Sequence, residues 1–205
     1  WYCLDFDGPQ LGDDTQAQLV FHGLDTFATV WLNGTVIGQS ENMFIRHRFD
    51  ATPHLKQGET NQLVVRLAAP RYGPHIDETH GPLYCAPERI FTRKAQMSYG
   101  WDIAPRLVTV GIWRPVELEL IRRARIDNAW VRTLAIEGNT VRCRVEAEID
   151  WLGCEAAAIT LAGNLHGQSF SINGTCKPGL NSFGTEVVIE NAPLWWPVGY
   201  GDANL

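Results

Sequence analysis

The chain has 205 residues, of which 45% are apolar and 20% are charged, and its formal net charge at pH 7 is −6. These proportions are ordinary for a folded globular protein and exclude an intrinsically disordered one. The negative balance offers no field for nucleic acid or an anionic membrane, and no apolar run approaches the roughly 20 residues of a membrane-spanning helix. Neither nucleic acid nor a membrane is therefore an expected partner.

The chain begins with Trp1-Tyr2-Cys3-Leu4-Asp5-Phe6, which has the character of a strand already under way and lacks an initiator methionine. We therefore expect the sequence to be part of a longer protein. The cysteines form an odd set without a C-x-x-C pair, which favours reduced thiols in a reducing, cytoplasmic compartment over disulfides or a zinc site. They are Cys3, Cys85, Cys143, Cys154 and Cys176.

Apolar and polar residues alternate through the first half of the chain, as in strands with one buried face. Leu63, Val65 and Leu67 are predicted to share such a face. Asn33-Gly34 joins two apolar runs and predicts a hairpin, because both residues tolerate positive φ. The same dipeptide at Asn173-Gly174 predicts a second turn.

Regular structure is predicted to lapse between Arg71 and Arg89, where three prolines and two glycines occur. A connection of this length inside a compact domain is usually functional or mobile. The segment also contains His75 and His80 around Asp77 and Glu78. Their spacing matches no helical or knuckle-type metal site, so we interpret them as polar loop residues and expect no metal.

The pattern changes after the strand that contains Val116, Leu118 and Leu120, which are predicted to form a buried face. Arg122 to Arg125 is interpreted as a solvated link between strands rather than a nucleic-acid patch. From Val141 to Ile149 apolar and charged residues alternate strictly, and residues 158–163 and 185–192 predict further strands. We expect two all-β domains: a jelly-roll sandwich over residues 1–122 and an immunoglobulin-like sandwich over 123–205, incomplete at its C-terminus.

Glu117 and Glu119 are the strongest sequence candidates for a pair of catalytic carboxylates. At i and i+2 of a strand they lie about 6.7 Å apart, near the separation of roughly 6.5–9.5 Å in inverting glycosidases. However, both would line the solvated face in parallel and share no substrate atom. No catalytic residue is therefore predicted.

Trp101 and Asp102 are the predicted binding residues. A buried strand rarely contains a carboxylate, and an ordinary surface loop rarely contains an indole. A sugar, in contrast, offers C–H groups that stack on an aromatic ring and hydroxyls that a carboxylate accepts. Core burial of Trp101 and a turn-capping role for Asp102 are the alternatives that the residues leave open.

The run "RKAQMSYGWDIAPRLVTVGIWRPV", residues 93–116, resembles the N-terminal domain of β-mannosidases in glycoside hydrolase family 2. The stretches "GLDTFATVWLNGTVIGQ" and "LWWPVGYG" resemble further blocks of the same enzymes. The ending Gly111 to Val116 is shared more widely in the family, whereas Gly100-Trp101-Asp102 and Trp195-Trp196-Pro197 indicate its mannosidase branch.

This resemblance implies a galactose-binding-like jelly roll and an immunoglobulin-like domain before a (β/α)₈ barrel that lies outside this chain. It implies retaining hydrolysis of terminal β-D-mannose by two barrel glutamates, without a cofactor. Trp101 and Asp102 would reach over the barrel and line the subsite of the terminal mannose, while this chain alone would be inactive.

The resemblance includes one departure and one further set of matches. Relatives often have Trp-Gly where this chain has Ile103-Ala104, which questions any sugar contact from position 103. Arg93, Lys94 and Arg106 match family positions and are interpreted as supports of the loop. The alternative functions are a stand-alone carbohydrate-binding module, the same part of a β-galactosidase or β-glucuronidase, and a purely structural pair of sandwiches.

Overall fold

The computed structural model describes residues 1–69 and 87–204, which are built mainly of antiparallel strands. The predicted all-β class is confirmed. The chain divides into two compact units, Trp1–Ile121 and Arg122–Leu205. None of the helices in the described ranges is long and apolar enough to cross a bilayer.

The first unit is a β-sandwich. One sheet has the strand order β1-β7-β4-β5, a second has the order β6-β2-β9, and β3 and β8 form a short separate pair. The strands are β1 (Tyr2–Asp7), β2 (Thr15–Phe21), β3 (Leu24–Asp25), β4 (Phe27–Leu32), β5 (Thr35–Ser40), β6 (His47–Asp50), β7 (Thr60–Ala68), β8 (Gly111–Ile112) and β9 (Val116–Arg122).

The core of this unit lies between the two larger sheets. Leu63 and Val65 of β7 are buried in one cluster with Leu19 and Phe21 of β2, and Leu67 packs against it, as predicted. Burial of each such side chain contributes about 1.5–3 kcal/mol. The alternation in the sequence thus holds the two sheets face to face.

The predicted hairpin at Asn33-Gly34 is confirmed. The two residues join β4 to β5 with φ values of 51° and 82°, and Leu32 pairs with Thr35 across the turn. Both values lie in the left-handed region, which asparagine and glycine enter at lower cost than other residues.

Most of the segment predicted to be irregular, Arg71 to Arg89, lies outside the described residues. Its last three residues do not fit the prediction, because they begin the short helix α1 (Pro87–Phe91). Proline is favoured in the first turn of a helix, where its missing N–H has no partner to lose. Two single 3-10 turns, Thr52–His54 and Gln96–Tyr99, complete the helical structure of the described ranges.

The second unit contains two facing sheets with the strand orders β10-β11-β14 and β12-β13. Its strands are β10 (Ala124–Glu137), β11 (Thr140–Trp151), β12 (Ala157–Leu165), β13 (Gln168–Cys176) and β14 (Gly179–Ile189). The alternation in β11 is confirmed, because its apolar members are buried and pack against both sheets. These members are Val141, Cys143, Val145, Ala147 and Ile149.

The predicted turn at Asn173-Gly174 is wrong. Both residues lie inside β13, and the turn that joins β12 to β13 is formed by His166-Gly167, with φ values of 47° and 81°. Gly174 serves a different purpose: a Cβ there would lie 2.3 Å from Cε1 of Phe183. The glycine is required by the close approach of that ring rather than by a turn.

The predicted buried face of β9 is partly wrong. Val116 and Leu118 pack against the core, whereas Leu120 is 46% exposed and its neighbour Ile121 is buried. The link after β9 is a single residue, Arg123, with a φ of 65°. Arg122 and Arg123 are exposed as predicted, but Arg125 is half-buried and pairs with Asp150 at 3.0 Å.

Candidate functional site

Trp101 and Asp102 lie in a tight turn that follows the 3-10 turn Gln96–Tyr99. The N–H of Trp101 donates to the carbonyl of Ala104 at 3.2 Å, and the N–H of Ala104 donates back to the carbonyl of Trp101. Asp102 has a φ of 22° and the preceding Gly100 a φ of 101°. Two reciprocal hydrogen bonds and two left-handed residues fix the direction in which the turn points.

Both predicted binding residues are exposed. The indole of Trp101 is 63% accessible, and Asp102 is also accessible to solvent. The alternative of a core tryptophan is therefore wrong. Among the described residues, no hydrogen bond or ion pair engages the Asp102 carboxylate as a capping group. Its role as a sugar ligand stays a prediction.

One cation lies over the indole. The guanidinium carbon of Arg89 is 5.5 Å from the ring centroid of Trp101, within the range of a cation–π contact. Arg89 is itself held by Gln96, whose side chain accepts from Nε of Arg89 at 2.9 Å and donates to its carbonyl at 2.8 Å. This chain of contacts orients the ring and leaves most of it exposed.

The loop that carries this turn, residues 94–111, is anchored at both ends by Asp25. Nζ of Lys94 donates to Oδ2 of Asp25, and the lysine side chain is 1% exposed. The backbone of Asp25 pairs with Gly111 in the β3–β8 ladder. Lys94 precedes the Trp101 turn and Gly111 follows it, so both ends of the loop meet at one residue.

Further contacts brace the segment on each side of this anchor. Arg93 forms a parallel bridge with Asn42, and the N–H of Met43 donates to the carbonyl of Arg93 at 3.0 Å. Within the loop, the N–H of Leu107 donates to the carbonyl of Ser98 at 3.0 Å. The loop is thus cross-linked to itself and to the strand region around β5.

The three cations predicted to support the loop behave differently. Lys94 is the buried partner of a carboxylate, as expected. Arg106 lies over the ring of Tyr99, with 5.7 Å between the guanidinium carbon and the ring centroid. Arg93 takes part through its backbone, and its side chain is exposed.

The other sequence candidates lie elsewhere. Glu117 and Glu119 are on the face of β9 opposite the core, as predicted, and each faces a basic side chain. Nε2 of His22 is 2.7 Å from Glu117, and Nε of Arg48 is 3.9 Å from Glu119. His75, Asp77, Glu78 and His80 lie outside the described residues.

Two concave features of the described residues do not coincide with the Trp101 turn. A groove of about 370 Å³ in the first unit is almost entirely apolar and is lined by Leu4, Leu19, Val65 and Leu118 among others. A polar hollow of about 400 Å³ in the second unit includes Trp196 and Asp202. Few polar groups line the first feature, and a sugar site needs several of them to fix the orientation of its ligand.

Sequence reasoning missed Asp25 and His22. Asp25 follows a single apolar residue in the two-residue strand β3, and nothing local marks it as the partner of Lys94. His22 directly follows β2 and meets Glu117 only through sheet pairing. Asp25 is only 6% exposed, and a buried acidic residue indicates a cationic partner, but its burial is known only from the structure.

Comparison with known proteins gives a consistent result. Residues 1–114 match the family described as glycosyl hydrolase 2 galactose-binding domain-like. The whole chain is similar to β-mannosidase B of Aspergillus clavatus, at 34% identity over 218 residues, and 36% identical over 213 residues to that of Aspergillus oryzae. It covers 25% of each of these relatives.

Solved structures agree with these relatives. The crystal structure of a β-D-mannosidase from Dictyoglomus thermophilum matches with a TM-score of 0.80 and 32% identity, over 98% of this chain and 25% of that one. An exo-chitosanase from Amycolatopsis orientalis matches with a TM-score of 0.71 and 20% identity, over 98% of this chain and 22% of that one. The second likeness concerns the fold alone.

The fold and the anchored loop define a β-sandwich protein of the galactose-binding-like type. The chain belongs to the glycosyl hydrolase 2 galactose-binding domain-like family, and it resembles the N-terminal part of the β-mannosidases of glycoside hydrolase family 2. It spans about a quarter of the length of the relatives that it matches.

Proposed function

We propose that the chain is the N-terminal, non-catalytic part of a retaining exo-β-mannosidase that removes terminal β-D-mannose residues. Residues 1–122 would form its sugar-binding domain and 123–205 its immunoglobulin-like domain. The first domain supplies Trp101 and Asp102 to the sugar subsite of a (β/α)₈ barrel elsewhere in the parent protein. One observation carries this proposal: an exposed indole and carboxylate on a turn whose two ends are anchored to Asp25.

The chemistry of the pair suits a pyranose. The exposed part of the Trp101 ring provides an apolar plate for sugar C–H groups, and the Asp102 carboxylate accepts from one or two hydroxyls. A hydrogen bond to a charged group contributes about 1.5–3 kcal/mol, which is enough to distinguish hydroxyl configurations. The fixed turn places both groups before the sugar arrives, so that little ordering entropy is lost on binding.

The same loop has the surface of a contact region. Apolar side chains along it are largely exposed, and Ile103 beside the binding pair is 98% accessible. Exposed apolar side chains that cluster on one segment mark an interaction site. We propose that this contact is intramolecular, against the mouth of the barrel. The cluster comprises Met97, Trp101, Ile103, Leu107 and Val110.

Catalysis belongs to the barrel in this proposal. A retaining glycosidase needs two carboxyl groups about 5–5.5 Å apart on opposite sides of the scissile bond. Glu117 and Glu119 do not fit, because they project from one face of one strand beside His22 and Arg48. The isolated chain is therefore expected to have no hydrolytic activity.

The proposal is tested in the full-length parent enzyme with 4-nitrophenyl β-D-mannoside. Asp102→Asn and Trp101→Ala should each lower kcat/KM by about 10- to 100-fold, since each removes a contact to the sugar. Asp13→Asn is the matched control, because Asp13 is an exposed carboxylate in another turn of the same unit. Unchanged kcat/KM in both loop variants would contradict the assignment and favour a purely structural sandwich.

Calorimetry on the 205-residue chain separates the proposal from a stand-alone carbohydrate-binding module. The proposal predicts no measurable heat with mannose or β-mannosides, because one wall of a subsite leaves most of the ligand in water. Saturable binding that Asp102→Asn removes would favour the binding module. Activity of the parent on a β-galactoside or β-glucuronide in place of the mannoside would identify a sibling enzyme.

A further inference from the structure

We propose that His22, Glu117 and Glu119 form a binding site for a divalent cation of the zinc class, separate from the Trp101 turn. The three side chains offer one imidazole nitrogen and two carboxylate oxygens, all within 4.8 Å of one another. Glu117 and Glu119 lie on β9, on the face opposite the core, and His22 directly follows the neighbouring strand β2. This group of residues could not be recognised from the sequence, because the histidine and Glu117 are 95 residues apart.

The backbone fixes the relative positions of the three donors. Glu117 and Glu119 alternate along β9 and therefore point to the same side of the sheet. His22 directly follows β2, and its N–H donates to the carbonyl of Pro115 at 3.1 Å, just before β9 begins. The two carboxylates are therefore carried by β9, and the histidine is held beside them by a backbone hydrogen bond at the end of β2.

The donor set favours zinc over magnesium or calcium. Imidazole with carboxylates suits zinc and its neighbours in the first transition row, whereas the two hard cations prefer six or more oxygen ligands. Ligand atoms around a tetrahedral zinc lie about 3.3 Å apart. The three donors lie within 4.8 Å of one another, so the carboxylate side chains would have to move closer by up to about 1.5 Å to bind a tetrahedral zinc. A solvent molecule can complete the shell because the Glu117 side chain is 54% exposed.

Contacts between polar side chains orient the donors in the absence of a cation. Nε2 of His22 is 2.7 Å from Oε2 of Glu117, and Nε of Arg48 is 3.9 Å from Oε2 of Glu119. The cation would take the place of the hydrogen bond between His22 and Glu117. The cation would also compete with Arg48 for Glu119. This competition is weak, because the two side chains are 3.9 Å apart.

A cation at this position would tie the end of β2 to β9. Because the donors converge only in the folded sheet, the cation binds the folded state and raises the unfolding temperature of the chain. The effect requires no sugar and no barrel. Its failure would leave the proposed function of the Trp101 turn untouched.

The test is a titration of the 205-residue chain with ZnCl2 by calorimetry, supported by the visible absorption of Co²⁺. We expect one equivalent to bind, with affinity at least tenfold lower in His22→Gln and in Glu117→Gln. Arg48→Gln should bind severalfold more tightly, since it removes the competing cation. His166→Gln is the control for loss of a histidine, because His166 is exposed in a turn of the second unit.

The outcomes separate the proposal from its alternatives. Circular dichroism establishes that each variant is folded before titration, and Glu119→Gln serves as a second ligand variant if either of the first two is not. Absence of binding at millimolar zinc would overturn the site and leave a network of ion pairs. Binding that survives in His22→Gln and in both glutamate variants would also overturn it, since the cation would then be held elsewhere.

Discussion

Lys94 and Asp25 form a buried ion pair between residues that are 69 positions apart in the chain. Asp25 also accepts from the hydroxyl of Thr26 and pairs through its backbone with Gly111. The carboxylate thus holds the start of the Trp101 loop while its backbone holds the end. The position of the exposed pair depends on this interaction, although neither partner reaches the surface.

Loss of Lys94 should destabilise the first unit strongly. Lys94→Met leaves the Asp25 carboxylate buried without its cation, and removal of one partner from a buried ion pair costs about 3–5 kcal/mol. Chemical denaturation of the 205-residue chain measures the change in the free energy of unfolding. The double variant Lys94→Met with Asp25→Asn should recover part of the loss, because it leaves no unpaired charge.

Arg93→Met is the matched control for that experiment. Arg93 is the adjacent cation, and its exposed side chain predicts a change within about 0.5 kcal/mol. Equal destabilisation by both substitutions would show that the buried pair has no special role in the loop.

Gly174→Ala should destabilise the second unit by about 1–3 kcal/mol, because the added methyl group overpacks the interior. The reason is the 2.3 Å separation that its Cβ would have from Cε1 of Phe183. Thermal unfolding checks the effect, and Phe183→Leu in the same chain should reduce it by removing the ring atom in the way. An unchanged melting temperature in Gly174→Ala would contradict the close packing of this ring.

Glu146 should make the stability of the second unit sensitive to acid. A hydrogen bond from Arg144 lowers the pKa of Glu146 below its ordinary value of 4.5, aided by Trp130 and by the charge of Arg132 and opposed by desolvation. A lowered folded-state pKa gives stability that is complete above about pH 4.5 and is lost as the pH falls below it. Unfolding temperatures measured from pH 7 to pH 3 should therefore fall less steeply in Glu146→Gln.

Glu148→Gln provides the comparison, because Glu148 lies two residues further along the same face of β11. If Glu146→Gln and Glu148→Gln reduce the fall in unfolding temperature at low pH equally, the contacts of Glu146 do not cause the acid sensitivity.

The cysteines should differ in their rates of alkylation. Burial raises the pKa of the Cys176 thiol, and the thiolate is the reactive form. With iodoacetamide at pH 8, mass spectrometry should find the exposed Cys3 and Cys154 modified well before Cys176. Modification of Cys176 as fast as Cys154 would mean that the β13 region opens readily.

Local patterns in the sequence predict the strands well. The alternation around Leu63 and Val141 follows from the two faces of a strand, and Asn33-Gly34 forms a hairpin because both residues accept positive φ. The same dipeptide fails at Asn173-Gly174, where a distant ring demands the glycine. A local motif cannot reveal which of two physical requirements selected its residues.

In the candidate site, too, some residues could be predicted from the sequence and others could not. The residue types and the loop context predict Trp101 and Asp102 as binding residues, and the structure shows that both are exposed. The family resemblance predicts Lys94 as a support of the loop, and its buried pair with a carboxylate agrees with that. Asp25 could not, because the pairing of β3 with β8 and the approach of Lys94 depend on the whole sandwich. The convergence of His22 on Glu117 arises in the same way, from the order of strands rather than from sequence spacing.

The proposed contact between Asp102 and the terminal sugar is tested most directly by removing the carboxylate and each sugar hydroxyl, first separately and then together. The parent enzyme and its Asp102→Asn variant would be assayed with 4-nitrophenyl β-D-mannoside and with analogues that each lack one hydroxyl. The account predicts that for at least one analogue the loss of kcat/KM caused by Asp102→Asn largely disappears, because the contacted hydroxyl is already missing. An equal loss on every substrate, or no loss on any, would contradict the contact between this carboxylate and the sugar.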